Sequence, residues 1–253
     1  MKKKKKHKLN FNFYTLLFFL LIILLIKNIT SYKKVEENII NNKINQSNLI
    51  NKEYDIIKKD TNPNYIGIGQ ETVKNKDGYF TTFSTKNNKK YIEYKQNYGY
   101  WRSKNYWNST MEESGCAITS LSIILSGYGS NYTPEDLRKK YYPRIDSNKI
   151  SSELYNTFNI ENTDFYYDQV RLSKENILKH LKNDKPILIC VWANEKENRW
   201  TTESHYMVLL AADSNNNVYV SNPNGLKNSS KSSGWYNINE IHPYIAKAMF
   251  ITK

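Results

Sequence analysis

Cys116 follows Ser114 and Gly115 and opens a stretch with apolar residues at 117, 118, 121, 123, 124 and 125. That spacing predicts a helix buried on one broad face and starting at the cysteine. A thiol in the first turn of a helix faces unpaired backbone N–H groups and the positive end of the dipole, which favour the thiolate. Gly115 would leave room for a substrate backbone to approach. Attack on a carbonyl also needs a base. Of the four histidines, His7 lies in a Lys-rich N-terminus, and His180 falls beside Lys179 and Lys182 on a helix where it would be solvated. His242 precedes Pro243 in a loop. His205 is placed differently, because it ends a polar loop and opens the most apolar strand of the chain, Tyr206 to Leu210, as a base at a sheet rim would.

A base is held in one orientation by a partner on its other ring nitrogen. Asp213 is eight residues along the same strand, about 26 Å away at 3.3 Å per residue, and cannot serve. The chain should turn at residues 214–217 and return toward His205, and the returning strand ends in Ser221, Asn222 and Pro223. Asn222 is therefore the expected orienting residue, reached through an offset or bulge, since pairing 205 directly with 222 would centre the turn between 213 and 214. Upstream, the side-chain amide of Gln96 could join the Cys116 N–H as a donor to an oxyanion. Cys190 lies inside Ile187, Leu188, Ile189, Val191 and Trp192 and reads as a small buried hydrophobe, not as a disulfide partner.

The elements that must carry these residues fall in two blocks. Thr133, Pro134, Glu135 and Asp136 supply an N-cap, a first-turn proline and first-turn acids for a second helix. Ser151 and Ser173 are candidate caps for two more, the latter helix running to about residue 183. Gly127 is placed to end the first helix. After Pro186 the pattern changes to short strands at residues 187–192, 206–212, 218–221 and 246–252. Helices followed by an antiparallel sheet predict an α+β domain over residues 91–253. Gly78 after Asp77, with a strand-like stretch at 79–83, suggests a hairpin leaning on it, within an otherwise polar stalk or pro-segment at 28–90.

The net charge of +13 belongs to the N-terminal third, because residues 96–253 carry 18 basic and 16 acidic side chains. A domain so near neutrality excludes sequence-independent nucleic-acid binding as its main business. Lys2 to Lys6 and Lys8 precede an apolar run at residues 13–26. Basic residues before a core of that length read as a signal-anchor or signal peptide over residues 1–27. The positive-inside rule then delivers the rest of the chain outside the cytoplasm, as a single-pass membrane protein or a secreted one. The chain carries no His-Glu-x-x-His, Cys-x-x-Cys, Gly-x-Ser-x-Gly or phosphate-loop motif, so no metal or other cofactor is expected.

In order along the chain, Gln96, Gly115 with Cys116 and Thr119, Ser204 with His205, Tyr206, Met207 and Val208, and Val218 to Pro223 resemble the papain-like cysteine peptidases. The likeness is to the bacteriocin-processing, double-glycine-leader group (peptidase family C thirty-nine) and its stand-alone relatives, and it covers about residues 91–253. The resemblance implies a papain-like α+β fold, a Cys116 nucleophile, a His205 base, an oxyanion donor at Gln96 and a peptide or protein substrate. That group usually has Asp where this chain has Asn222, whereas papain-like enzymes outside it use Asn. Residues 110–114 are bulkier and more acidic than usual. The same constellation would serve a papain-like amidase or acyl transferase acting on the cell wall, and the fold alone would serve a non-catalytic surface-binding module.

Overall fold

The computed structural model describes residues 55–57, 71–75, 78–192, 200–225 and 233–253. The N-terminal apolar run, on which the signal-anchor and membrane expectations fall, and most of the stalk lie outside the described residues. Within the described residues no helix is long and apolar enough to cross a membrane.

The fold is α+β, with an N-terminal antiparallel meander followed by helices and then a second antiparallel sheet. Strands β1 (Asp55–Ile57), β2 (Glu71–Asn75), β3 (Gly78–Ser84) and β4 (Lys90–Ile92) form a four-stranded antiparallel meander. The hairpin expected around Gly78 is the β2–β3 turn. Val73, Phe80 and Phe83 are buried in the same core as Tyr91, Tyr94 and Trp101, so the meander and the residues after 91 share one apolar interior. A short ribbon, β5 (Asn105–Tyr106) with β6 (Ser109–Thr110), leads into α1 (Met111–Ser114) and α2 (Cys116–Gly127).

Helix α2 begins at Cys116 as its periodicity predicts, and every residue from Ile118 to Leu125 is buried. Such a helix is stabilised by contact on all sides and not by amphipathicity. It packs on both β4 and the long strand Ser204–Ala212 of the second sheet. Gly127 does not end it by turning left-handed. The residue is still helical, and a Cβ there would fall 2.0 Å from a ring carbon of Tyr91, so glycine is required by close approach. The left-handed turn comes two residues later, at Gly129, with φ of +75°.

Three further helices follow. In α3 (Pro134–Lys140) the expected capping box forms, with Thr133 Oγ1 accepting from the Asp136 N–H and the Asp136 carboxylate accepting from the Thr133 N–H. Helix α4 (Ile150–Phe158) starts earlier than the Ser151 cap implied. A 3-10 turn over Ser147–Lys149 leads into it, and Asp146 accepts from the Asn148 N–H at the start of that turn. Ser173 caps α5 (Lys174–Leu181) through the Asn176 N–H.

The second sheet has the order β10-β9-β8-β7-β11, all antiparallel, from β7 (Ile187–Trp192), β8 (Ser204–Ala212), β9 (Asn217–Ser221), β10 (Gly234–Asn237) and β11 (Ile245–Phe250). Its strands read as nearly continuous apolar runs because both faces are covered. Leu188, Val208 and Leu210 join the core that holds α2, while Ile189, Met207 and Leu209 join a second core with Ile177 and Leu181 of α5 and Ile241 of α6 (Ile238–Ile241).

Candidate active site

The strand pairing explains how two residues 17 apart meet. At the turn, Ala212 pairs with Val218 and Ala211 with Tyr219, but farther along Leu209 pairs with Val220 and Val208 with Ser221. The register shift between Leu209 and Ala211 is a bulge, one of the two expected routes, and it moves the pairing by one residue. Beyond it, His205 Nε2 lies 2.8 Å from Asn222 Oδ1, with both side chains buried.

The hydrogen bonds around Asn222 assign the histidine tautomer. The Asn224 backbone N–H, which can only donate, points at the same Asn222 atom from 2.9 Å, so that atom is the amide oxygen. An oxygen accepts, so His205 Nε2 carries the hydrogen and donates it. The other ring nitrogen, Nδ1, is then the basic one in the neutral ring. The expected base and its orienting residue are therefore brought together.

Cys116 lies near the His205 end of β8, since the backbone of Tyr206, the residue after His205, is close enough to its sulfur to favour the thiolate. The charge state differs from what the helix start alone implied. Burial pushes the thiol up from its ordinary range, opposed by backbone hydrogen bonds from Tyr206, Ala117 and Cys116 itself. Desolvation of a thiolate outweighs the backbone donors here, so burial favours the neutral thiol over the thiolate. Gly115 also has a reason other than the expected space for substrate. A Cβ there would meet the Met111 carbonyl oxygen at 2.4 Å, since α1 and α2 run almost end to end.

Gln96 is fully buried and joined to both halves of the site. Its backbone N–H donates to the Pro223 carbonyl at 2.8 Å, and its side-chain Nε2 donates to the Glu112 carbonyl at 2.7 Å. Glu112 lies four residues before Cys116, so the Gln96 amide rests against the turn that leads into the α2 N-terminus. One Nε2–H is used there. The Gln96 carbonyl oxygen Oε1 is buried with no partner among the described residues.

Cys190 lies near Cys116 and the His205 backbone, whereas the other described histidines are engaged elsewhere. Cys190 is buried, and neither it nor Cys116 is in a disulfide. Burial raises the Cys190 pKa to about 11, against a lowering by Lys247. Cys190 pairs with Tyr206 on one side and Lys247 on the other, so the three form a row across β8, β7 and β11. His180 is half-buried and engaged, because Nε2 donates to the Ile251 carbonyl at 2.8 Å and the ring stands edge-on to Phe250. His242 bonds the Leu172 carbonyl at 2.7 Å. Among the described residues no group of three or more His, Cys, Asp or Glu is placed to hold a metal ion.

Glu93 and Lys95, which nothing in the sequence singles out, flank Tyr94 and are both buried. Glu93 accepts from Thr81, Tyr219 and Ser221, while Lys95 donates to the Asn222 carbonyl and to Ser233. Alternating Glu, Tyr, Lys and Gln looks like an exposed strand edge, and nothing local marks those charges as interior.

Curated proteins give no match. A solved structure of a candidate C39-like peptidase from Bacillus anthracis is similar at a TM-score of 0.40 and 17% identity, over 55% of this chain and 88% of that one. The profile of the Peptidase_C39 like family matches residues 93–242, a span that contains Gln96, Cys116, His205 and Asn222. With more than half its length matched, this chain belongs to the C39-like peptidase family and has that family's papain-like α+β fold.

Proposed function

We propose that the protein is a cysteine peptidase that cleaves a peptide or amide bond through a Cys116 acyl-enzyme. The observation that carries this reading is the His205 Nε2–H donated to Asn222 Oδ1, which leaves Nδ1 as the base on the residue next to Tyr206, whose backbone favours the Cys116 thiolate. The Cys116 thiol gives its proton to Nδ1 as sulfur bonds the substrate carbonyl carbon. The carbonyl oxygen takes the displaced electron pair, and the Cys116 N–H and the second Gln96 Nε2–H stabilise it. The tetrahedral species collapses, the C–N bond breaks, and the imidazolium returns its proton to the leaving amine. Water then adds to the thioester, giving its proton to Nδ1, and the acid departs with the thiol restored.

The same reading puts the chemistry outside the cytoplasm, either held to the membrane through the N-terminal apolar segment or secreted, on the strength of the Lys cluster ahead of residues 13–26. Incubating the purified chain with a peptide library tests the activity. Cleavage lost in Cys116→Ala and kept in Cys190→Ala supports the assignment, and equal loss in both points to structural thiols. External protease on intact cells tests the location, and a protected domain would contradict it.

A further inference from the structure

Asn222 can orient His205 only if its own backbone is fixed, and the structure shows what fixes it. The Asn222 carbonyl accepts from Lys95 Nζ at 2.7 Å. The Asn222 N–H donates to Ser233 Oγ at 3.0 Å, and that oxygen also accepts from Lys95 Nζ at 2.8 Å. One ammonium thus brackets the residue from both sides, directly at its C=O and through Ser233 at its N–H. On the next residue along each segment, the Gln96 N–H donates to the Pro223 carbonyl at 2.8 Å, and on the other side Ser221 Oγ donates to Glu93 at 3.2 Å. Residues 93–96 and 221–223 are therefore clamped together.

Lys95 is 1% exposed. Burial lowers its pKa, opposed by the nearby Glu93 carboxylate. A lysine in such a place costs desolvation free energy that a neutral side chain would not. Its unusual features are reach and donor count. From a main chain on the far side of the clamp it supplies two of its N–H groups to partners that both hold Asn222.

We propose that Lys95 is a positioning residue of the Cys116 site, whose ammonium fixes Asn222 and so keeps the Asn222 side chain bonded to His205. This rests on the role of Asn222 in orienting His205. It adds that the histidine's orientation depends on a residue that touches neither the imidazole nor the thiol.

The test reads the hydrogen bond itself and needs no substrate. In the full-length chain, the His205 Nε2 proton is assigned by NMR through its loss in His205→Gln, and its exchange with water is timed in wild type, Lys95→Met, Asn222→Ala and the double variant. Removing the acceptor in Asn222→Ala should speed exchange by about tenfold or more. Lys95→Met should speed it comparably, and the double variant should be no faster than Asn222→Ala alone. Thermal unfolding of each variant separates this from general loosening, since stability losses add where the exchange effect does not. If Lys95→Met fails to fold, Ser233→Ala removes one strut of the bracket and should give a smaller acceleration, also absent in the Asn222→Ala background. A wild-type exchange rate in Lys95→Met or Ser233→Ala overturns the proposal alone, as does an additive double variant. An unchanged rate in Asn222→Ala overturns the orienting role of Asn222 and the proposal with it.

Discussion

The charge state of Cys116 separates two ways of running the same chemistry. If sulfur and imidazole exchanged a proton before substrate arrived, the thiolate would persist well below neutral pH. The structure instead surrounds the sulfur so that burial pushes its pKa up, with backbone hydrogen bonds from Tyr206 opposing. A raised thiol pKa means that the neutral form is favoured in the folded state and that reactivity grows with pH through and beyond the ordinary thiol range. Cys190 supplies the internal scale. Its pKa moves from 9.0 to about 11, so at pH 7 its thiolate population falls about a hundredfold below that of a free thiol, before any loss of access. Labelling with iodoacetamide between about pH 5 and pH 10, followed by peptide mapping, reads both residues at once. Cys116 should label more slowly than a free thiol at pH 6, rise with pH without an early plateau, and outpace Cys190, which is the more deeply buried. Rapid labelling of Cys116 already complete in its pH response by pH 6, and abolished in His205→Ala, would refute this reasoning in favour of a preformed thiolate–imidazolium pair.

His205→Ala should cost activity on any peptide that wild type cleaves by several orders of magnitude, about 10³-fold or more, and Asn222→Ala considerably less. Gln96→Ala should lower turnover by about 10²-fold while leaving the pH profile of Cys116 labelling in place, because an oxyanion donor acts on charge that develops during reaction. Gly127→Ala should destabilise the fold by about 1–3 kcal/mol in urea unfolding, since the new methyl group would overlap the Tyr91 ring at 2.0 Å. In alkali, Cys190 at about 11 and Tyr106 at about 12 both have pKa values raised by burial. Their stabilising contribution is complete below the unfolded-state values and declines as pH rises from there through the folded ones, so melting temperature should fall progressively above about pH 9.

The sequence announces features that depend on local pattern. Helix α2 is visible in its apolar spacing, and the Thr133 and Ser173 caps follow from side-chain chemistry within one turn. The meeting of His205 and Asn222 was legible because a hairpin has few registers, and the mismatch between 205 and 222 already called for an offset or a bulge, of which a one-residue bulge is found at Leu209 and Ala211. Strand β10 was hidden because its pairing with β9 follows a Ser-, Lys- and Gly-rich stretch with no strand pattern of its own. The raised Cys116 pKa and the burial of Glu93 and Lys95 were hidden for a deeper reason. Both are set by what packs around the group from distant parts of the chain, while helix position and residue type report only the local field.

The central claim is a covalent thioester on Cys116, and mass spectrometry of the protein can detect it directly. A peptide that the chain cleaves is mixed with wild type, Cys116→Ala and Cys190→Ala, the reactions are quenched in acid within the first turnovers, and the intact proteins are weighed and mapped. Wild type and Cys190→Ala should carry the acyl half of the peptide on Cys116, and Cys116→Ala should carry none and cleave nothing. Cleavage that persists in Cys116→Ala, or an acyl group that maps to Cys190, would contradict the account.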